Sequence, residues 1–181
     1  MTLSEVSQKI LGRPEVVRGY VNFMLGFMSR GIVAASQEDK TIQEEVAGFP
    51  AGFEVELQTL PDGPGMRLRK TPGNELALVT EGFWKKPTLA IQFKHLQHAW
   101  RVLTFQENTA RAFANNRMIV DGEIAYAMRM VRILNRFQAM ILPLPVAQKA
   151  LKRVPQIPEE EKKKTALAIY TRLARNALRR S

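Results

Sequence analysis

The sequence predicts an α+β fold, in which a five-stranded, mostly antiparallel sheet is covered on one face by helices. Three observations support this prediction. The 181 residues are 45% hydrophobic and 24% charged, which is ordinary for a folded domain with a core. Apolar and polar residues alternate over much of residues 53–93, as they do in half-buried strands. On either side of that stretch the apolar residues take helical spacing.

The first predicted element is a helix from Glu15 to about Ser36. Pro14 suits its first turn, because a proline there has no backbone N–H to leave unpaired. Apolar residues recur near helical spacing, and aromatic residues widen the stripe until little polar face remains. Two interpretations stay open: a helix buried on most sides, or a cover over a lipid site or a membrane.

Four predicted strands follow, separated by turns rich in proline, glycine and asparagine. In the first strand Phe53, Val55 and Leu57 alternate with polar residues. The predicted strands cover residues 53–58, 66–69, 75–80 and 89–93. Short turns between successive strands favour an antiparallel meander, whose apolar face must be covered by helices.

Helical spacing returns after the fourth strand. The predicted order is a helix at 94–103, a short helix at 108–115, a fifth strand at 117–121 and a long helix at 123–142. Pro143 and Pro145 cannot continue the long helix. Its predicted apolar stripe consists of Ile124, Ala127, Met128, Val131 and Leu134. Its predicted opposite face carries Arg129, Arg132 and Arg136.

The positive charge is concentrated near the C-terminus. The chain carries a net charge of +10, and residues 144–181 hold ten basic and three acidic residues. The last predicted helix begins at Pro158, with glutamates in its first turn and arginines at its end, which matches the helix dipole. The charges therefore have a structural explanation, although a basic helix also favours an anionic partner.

Several classes of protein are excluded or disfavoured. The absence of cysteine excludes disulfides, thiolate metal sites and iron–sulfur clusters. The first residues lack the pattern of a signal peptide, and the most apolar window, residues 16–35, contains two arginines. We therefore expect a cytoplasmic protein, associated at most peripherally with the inner face of a membrane.

The order of elements over residues 89–124 carries a family resemblance. A strand ending in Phe93 and a leucine-containing helix come before an Ala-Phe segment, a strand and a Gly-Glu pair that opens an amphipathic helix. This order resembles the sterol carrier protein-2 family, and the plausible match extends over about residues 45–142. Asn116 replaces a usual glycine, but asparagine also adopts positive φ. Glu123 replaces a usual aspartate and keeps a negative charge at the helix start.

The resemblance implies an apolar tunnel between sheet and helices. Such a tunnel takes a lipophilic ligand of the sterol-like, fatty acid, fatty acyl-CoA or quinone-like kind. The expected ligand-binding residues are Phe93, Leu96, Trp100, Phe113, Met118, Val120, Ile124, Met128 and Val131.

We expect binding or transfer without catalysis. His95 and His98 lie on one predicted helix without a third ligand nearby, so no metal is expected. The chain has no Gly-x-Ser-x-Gly motif and no phosphate-binding loop, and no cofactor is expected. One alternative is an accessory subunit that presents a lipophilic intermediate, such as a quinone precursor, to partner enzymes.

A second alternative is a nucleic-acid-binding protein that uses the basic C-terminal helix. Tyr170 is the single aromatic residue in this helix, and the sequence lacks a helix-turn-helix pattern, which argues against nucleic acid.

We divide the chain into an N-terminal extension (1–44), a lipid-binding domain (45–145) and a linker with the basic helix (146–181).

Contact with an anionic membrane is expected at two places, an aromatic and basic loop and the C-terminal helix. The expected contact residues are Phe83, Trp84, Lys85, Lys86, Lys162, Lys163, Lys164, Arg172, Arg175 and Arg179. The sequence does not determine the oligomeric state, the identity of the ligand or the pathway.

Overall fold

The computed structural model describes residues 13–82, 85–151 and 154–178, which form seven helices and five strands. The helices are α1 (Pro14–Glu38), α2 (Lys40–Ala47), α3 (Leu96–Leu103), α4 (Thr109–Ala114), α5 (Ile124–Ile141), α6 (Leu144–Ala150) and α7 (Glu159–Leu178). The strands are β1 (Glu54–Thr59), β2 (Gly65–Lys70), β3 (Leu76–Leu78), β4 (Leu89–Phe93) and β5 (Met118–Asp121). This architecture confirms the predicted α+β class.

The five strands form one mixed sheet in the order β3-β2-β1-β4-β5. Three neighbouring pairs are antiparallel, and the pair β1–β4 is parallel. The predicted meander is therefore wrong for β4, which lies beside β1 instead of β3. Residues 79–88 allow this arrangement, because they are long enough to lead the chain from β3 at the edge of the sheet past β2 and β1 to β4. The Arg67 guanidinium donates to the carbonyl oxygens of Gly82 and Lys85 and so holds this crossover against the sheet.

The two faces of the sheet differ in polarity, as the alternation predicts. Directly paired residues place their side chains on the same face. Val55 pairs with Leu68 and Leu89, while Leu57 pairs with Met66 and Ile91. These side chains are buried and form the inner face. The outer face carries Glu54 and Glu56 of β1 and Arg67 and Arg69 of β2.

Helix α1 packs one apolar face into the hydrophobic core. Val21, Leu25 and Ile32 are fully buried there, whereas Phe23 on the opposite side is exposed. Gly31 allows close approach to α5, because a Cβ atom at this position would lie 2.4 Å from Cζ of Phe137. Helix α1 therefore belongs to the core along most of its length.

Two short helices are present where the sequence analysis predicted none. Asp39 begins α2, and its carboxylate accepts a hydrogen bond of 2.9 Å from the Ile42 N–H. Pro143 and Pro145 end α5 as predicted, but the chain then starts α6 at once. Proline is disfavoured in the interior of a helix but favoured in its first turn, so the same two residues end α5 and begin α6.

Helix α5 presents a different face to the core from the predicted one. Met130, Ile133 and Phe137 are buried, whereas Ile124 and Met128 are 76% and 51% exposed. The predicted stripe is therefore wrong at those two positions.

Ion pairs account for this orientation of α5. The Arg129 and Arg132 guanidiniums pair with Glu45 of α2 at 3.1 and 2.5 Å. Arg136 pairs with the buried carboxylate of Asp39 at 3.0 Å and with Glu161 of α7 at 2.5 Å. The three arginines face neighbouring helices, which turns the helix away from the predicted phase.

Helix α7 packs on α1 and α5. Ile169 is fully buried in the main core, and the Tyr170 hydroxyl donates to the Ile141 carbonyl at 3.3 Å. Arg172 pairs with Glu38 at the end of α1.

Within the described parts of the chain, every helix is too short or too polar to cross a membrane. The three-part division of the chain stays a prediction, since one hydrophobic core contains residues of α1, the sheet and α7.

Candidate functional site

The nine residues expected to line a tunnel fall into three groups. Phe93, Trp100 and Met118 are buried in the core. Leu96, Val120 and Val131 are half-buried. The exposed members are Phe113, Ile124 and Met128. The nine therefore extend from the interior to the surface of the protein.

The space between the inner face of the sheet and α5 is almost filled. A cavity of about 10 Å³ remains there. A cavity of that size holds about one water molecule. Its lining consists of Val55, Leu57, Met66, Leu68, Ile91, Met130 and Leu134. All seven side chains are apolar, so the interior offers hydrophobic contact and no hydrogen bond.

The tunnel prediction named none of these seven residues. The strand alternation already placed Val55, Leu57, Met66, Leu68 and Ile91 on the apolar face, so this signal was available in the sequence. Of the two α5 residues in this lining, Leu134 belonged to the predicted apolar stripe of the helix, although it was not among the expected tunnel residues. Met130 was missed because the phase of α5 depends on ion pairs with α2 and α7, whose residues are distant in sequence.

Aromatic residues lie near the start of β1. The Phe49 and Phe53 rings stack in parallel with centroids 4.0 Å apart. Tyr126 of α5 meets both rings edge-on, at 6.0 and 5.4 Å. This cluster packs the first turn of α5 against the residues that precede β1.

A second aromatic contact joins α1 and α3. The Tyr20 and Trp100 rings meet edge-on with centroids 4.7 Å apart, and the Tyr20 hydroxyl donates to the Leu103 carbonyl at 3.2 Å. Burial raises the pKa of Tyr20 above its ordinary value. Trp100 is thereby held in one orientation, with its ring inside the core.

Two buried polar side chains lack a partner in this part of the fold. The Thr59 hydroxyl oxygen and the Trp100 indole nitrogen are both inaccessible to solvent, and neither has a hydrogen bond to any residue the structure describes. Buried polar groups in proteins are nearly always hydrogen-bonded. These two atoms are exceptions to that rule, as is the Nδ1 atom of His98.

A wider recess opens where α1 and α3 begin. It has a volume of about 380 Å³ and is lined by Pro14, Val17, His95, Leu96 and Gln97. Leu96, one of the nine residues expected to line a tunnel, therefore borders this recess.

The outer face of the sheet carries a buried charge cluster. Arg67 is 2% exposed, and its guanidinium pairs with Glu56 at 2.6 Å and with Glu54 at 3.5 Å. The same guanidinium binds the crossover, so the charged groups fix this segment of the chain to the sheet. Phe83 and Trp84, which the sequence predicts to contact a membrane, lie outside the described residues.

The basic residues expected to contact a membrane differ in their surroundings. Lys85 is exposed, and the exposed Lys86 pairs with Asp121 at 2.9 Å. Lys162 donates to the Leu142 carbonyl at 3.2 Å, and Arg172 pairs with Glu38. The exposed bases of α7 are Lys163, Lys164, Arg172 and Arg175, and Arg179 lies outside the described residues.

The two histidines of the His-x-x-His motif lie close together, with ring centroids 5.2 Å apart. Burial lowers the pKa of His98, and the neighbouring His95, Arg117 and Arg101 lower it further. In residues 13–82, 85–151 and 154–178, no three His, Asp or Glu side chains are grouped so that they could hold a metal ion.

No family model and no curated protein matches the chain. Solved structures do match it, and the sterol carrier protein-2 resemblance expected from the sequence recurs among them. Sterol carrier protein 2 from Yarrowia lipolytica, in its apo form, is 14% identical with a TM-score of 0.41, over 63% of this chain and 91% of that chain. The UbiJ-SCP2 ubiquinone synthesis protein is 11% identical with a TM-score of 0.42, over 68% and 96%.

A third match is a conserved hypothetical protein from Thermus thermophilus, described as possibly a sterol carrier protein. It is 14% identical with a TM-score of 0.43, over 70% of this chain and 90% of that chain. Similarity at this level concerns the arrangement of the fold and carries no information about a ligand.

Proposed function

We propose that this chain binds a lipophilic ligand, without converting it chemically, between the inner face of the sheet and α5. The observation that supports the proposal is the wholly apolar lining of the cavity at this interface. Met66 and Met130 belong to that lining, and methionine side chains adapt their shape to what they contact. The candidate ligands are sterol-like molecules, fatty acids, fatty acyl-CoA esters and quinone-like molecules.

Ligand binding requires the interface to open. Lipophilic ligand sites measure about 300–1,000 Å³, whereas the present cavity measures about 10 Å³. We propose that the N-terminal half of α5 moves away from the sheet together with α2, because the ion pairs of Arg129 and Arg132 with Glu45 join these two segments. Arg136 holds the later part of α5 to Glu161 of α7. In the opened state, contacts with the ligand replace the contacts that side chains of the sheet and of α5 no longer make with each other.

The exposed apolar residues define the entrance in this proposal. Ile124 and Met128 lie one helical turn apart on the exposed side of α5, and the half-buried Val120 precedes them on β5. A lipid that reaches this surface meets apolar side chains before it enters the core. The buried residues among the nine expected from the sequence would form the wall, and the exposed residues would form the way in.

Two alternatives share some of these features. An accessory subunit that presents a lipophilic intermediate to partner enzymes would use the same site. A nucleic-acid-binding protein would use α7, but Lys162 and Arg172 of that helix already bind Leu142 and Glu38. We therefore retain lipid binding in the cytoplasm, with peripheral membrane contact during exchange, as the main proposal.

The proposal is tested by extracting the purified protein with solvent and identifying bound lipids by mass spectrometry. Met130→Trp fills the proposed site and should fold with a loss of about 1–3 kcal/mol, but should carry little lipid. Phe23→Trp places the same side chain on the exposed side of α1, which is not part of the proposed site or its entrance, and should retain the bound amount. A folded Met130→Trp protein with its full complement of lipid would refute the site. An excess of co-purified nucleic acid, with no lipid, would favour the alternative.

A further inference from the structure

We propose that the ligand carries an uncharged oxygen acceptor, a carbonyl or a hydroxyl group, and that Thr59 and Trp100 bind this group. The inference rests on the proposed function, because it assigns the polar end of the same ligand. The Thr59 hydroxyl oxygen and the Trp100 indole nitrogen are both buried without a partner among the described residues, and one ligand group is proposed to satisfy both.

Trp100 offers a donor that nothing else in the described structure uses. The side chain is 6% exposed, and its ring is held against Tyr20. The indole N–H can donate a hydrogen bond but cannot accept one. A buried indole N–H usually has a partner, and leaving it without one is unfavourable. A ligand group that satisfies this atom must therefore be an acceptor.

Thr59 lies on the apolar face of the sheet that the cavity uses. Side chains alternate along a strand, so Val55, Leu57 and Thr59 of β1 point to the same face. Val55 and Leu57 line the cavity, and Thr59 follows Leu57 by two residues, or about 7 Å along the strand. Its side chain is completely buried. The threonine hydroxyl thus continues the wall of the apolar site with a polar atom.

The topology places the end of β1 beside the end of β4, from which the chain continues into α3. Strands β1 and β4 are parallel, and Thr59 pairs with Phe93 at the end of both strands. Helix α3 begins at Leu96, three residues after Phe93, and Trp100 lies on its second turn. The chain therefore places one unpartnered group at the end of β1 and the other on the helix that follows β4.

The surroundings of these two groups favour an uncharged ligand group. Thr59 lies beside Phe93 and against Gly63, and Trp100 packs on Tyr20. An ionised headgroup buried among such residues would lose its hydration without gaining a countercharge. His98 also has a buried, unpartnered nitrogen, but it precedes Trp100 by two residues and so lies on a different side of α3.

The test compares a long-chain methyl ketone, an alkane of equal length and a long-chain carboxylate at pH 8, each displacing an apolar fluorescent dye from the full-length protein. We expect wild-type protein to bind the ketone about tenfold more tightly than the alkane or the carboxylate. Thr59→Val removes the hydroxyl group and keeps the shape of the side chain, and Trp100→Phe removes the indole N–H and keeps an apolar aromatic ring of smaller size. Each should weaken ketone binding about five- to tenfold and change alkane binding less than about twofold.

Unfolding of the ligand-free variants gives a second readout. Thr59→Val should leave the midpoint of chemical denaturation unchanged or raise it, because it removes an unsatisfied buried group. Trp100→Phe should lower the midpoint, because the smaller ring leaves a cavity in the core. Thr104→Val is the control, since the Thr104 hydroxyl donates to the Trp100 carbonyl at 2.7 Å. This control should lower the midpoint and leave the preference for the ketone intact.

Three results would overturn the inference. Equal binding of ketone and alkane by wild-type protein would show that no polar group is recognised. A lower denaturation midpoint for Thr59→Val would show that its hydroxyl has a structural partner. Preference for the carboxylate would show that the site takes a charged group. If wild-type protein binds the dye and none of the three compounds displaces it, the proposed function fails together with the inference.

Discussion

At the scale of single residues, the contact between α1 and α5 depends on a glycine. Phe137 is fully buried, and its ring occupies the space in which a side chain at position 31 would lie. Gly31→Ala should therefore lower the free energy of unfolding by about 1–3 kcal/mol, because the ring or the helix must shift. Urea denaturation of the purified variant measures this change.

The matched control lies on the same helix. A Cβ atom at Gly19 would have no neighbour within 4 Å. Gly19→Ala should raise the free energy of unfolding by about 0.5–1 kcal/mol, because glycine is unfavourable in a helix interior. Equal effects of the two substitutions would contradict the described packing of α1 on α5.

At the scale of elements, Arg67 joins the outer face of the sheet to the crossover that leads into β4. Replacing it with methionine leaves the nearly buried Glu54 carboxylate without this partner and releases the carbonyl groups of the crossover. Arg67→Met should lower the free energy of unfolding by about 3–5 kcal/mol, as loss of one partner from a buried ion pair does. Denaturation monitored by circular dichroism measures the loss.

Arg69 provides the control, because it pairs with the same carboxylate of Glu54 at 2.5 Å while 53% of its side chain is exposed. Arg69→Met should cost about 1 kcal/mol or less, the range of surface ion pairs. If the two arginine variants were equally stable, the outer-face cluster would not hold the crossover.

Local sequence signals predicted the element types better than their arrangement. The alternation at Val55 and Leu57 identified both the strand and its buried face, because side chains alternate in any strand. The position of β4 could not be predicted in the same way, since strand order depends on contacts between distant residues. Asn116 was expected to allow a tight turn, and it has a φ of 57°.

The candidate site shows the same division. The sequence indicated an apolar interior and the burial of Phe93, Trp100 and Met118. It could not place Ile124 and Met128, because their exposure follows from ion pairs that fix the phase of α5. It also could not reveal unpartnered polar atoms, which exist only once the fold is known.

At the scale of the whole molecule, the net charge of +10 predicts association with anionic membranes. Lys163→Gln/Lys164→Gln should weaken binding to anionic vesicles about tenfold or more at low salt, since each base near the surface contributes about 1 kcal/mol. The control is a variant with Lys40→Gln and Lys149→Gln, which has the same net charge as the Lys163→Gln/Lys164→Gln variant. These two exposed lysines lie on other helices. The control variant should bind nearly as well as wild-type protein in a vesicle sedimentation assay.

Changing the salt concentration and the lipid composition of the vesicles shows whether membrane binding is electrostatic. Binding should weaken between about 50 and 500 mM salt, because the Debye length shortens. Equal binding to zwitterionic vesicles, or no binding at low salt, would leave α7 as a helix that only packs on the body of the protein.

The central claim is that a lipophilic ligand binds between the sheet and α5, and methionine methyl resonances test it most directly. Met66 and Met130 line the cavity, whereas Met128 of the same helix is exposed. On titration with a long-chain methyl ketone, the Cε methyl signals of Met66 and Met130 should shift and saturate together, while the Met128 signal moves little. A saturable shift confined to Met128, or no shift of Met66 and Met130 when the ligand is bound, would contradict the claim.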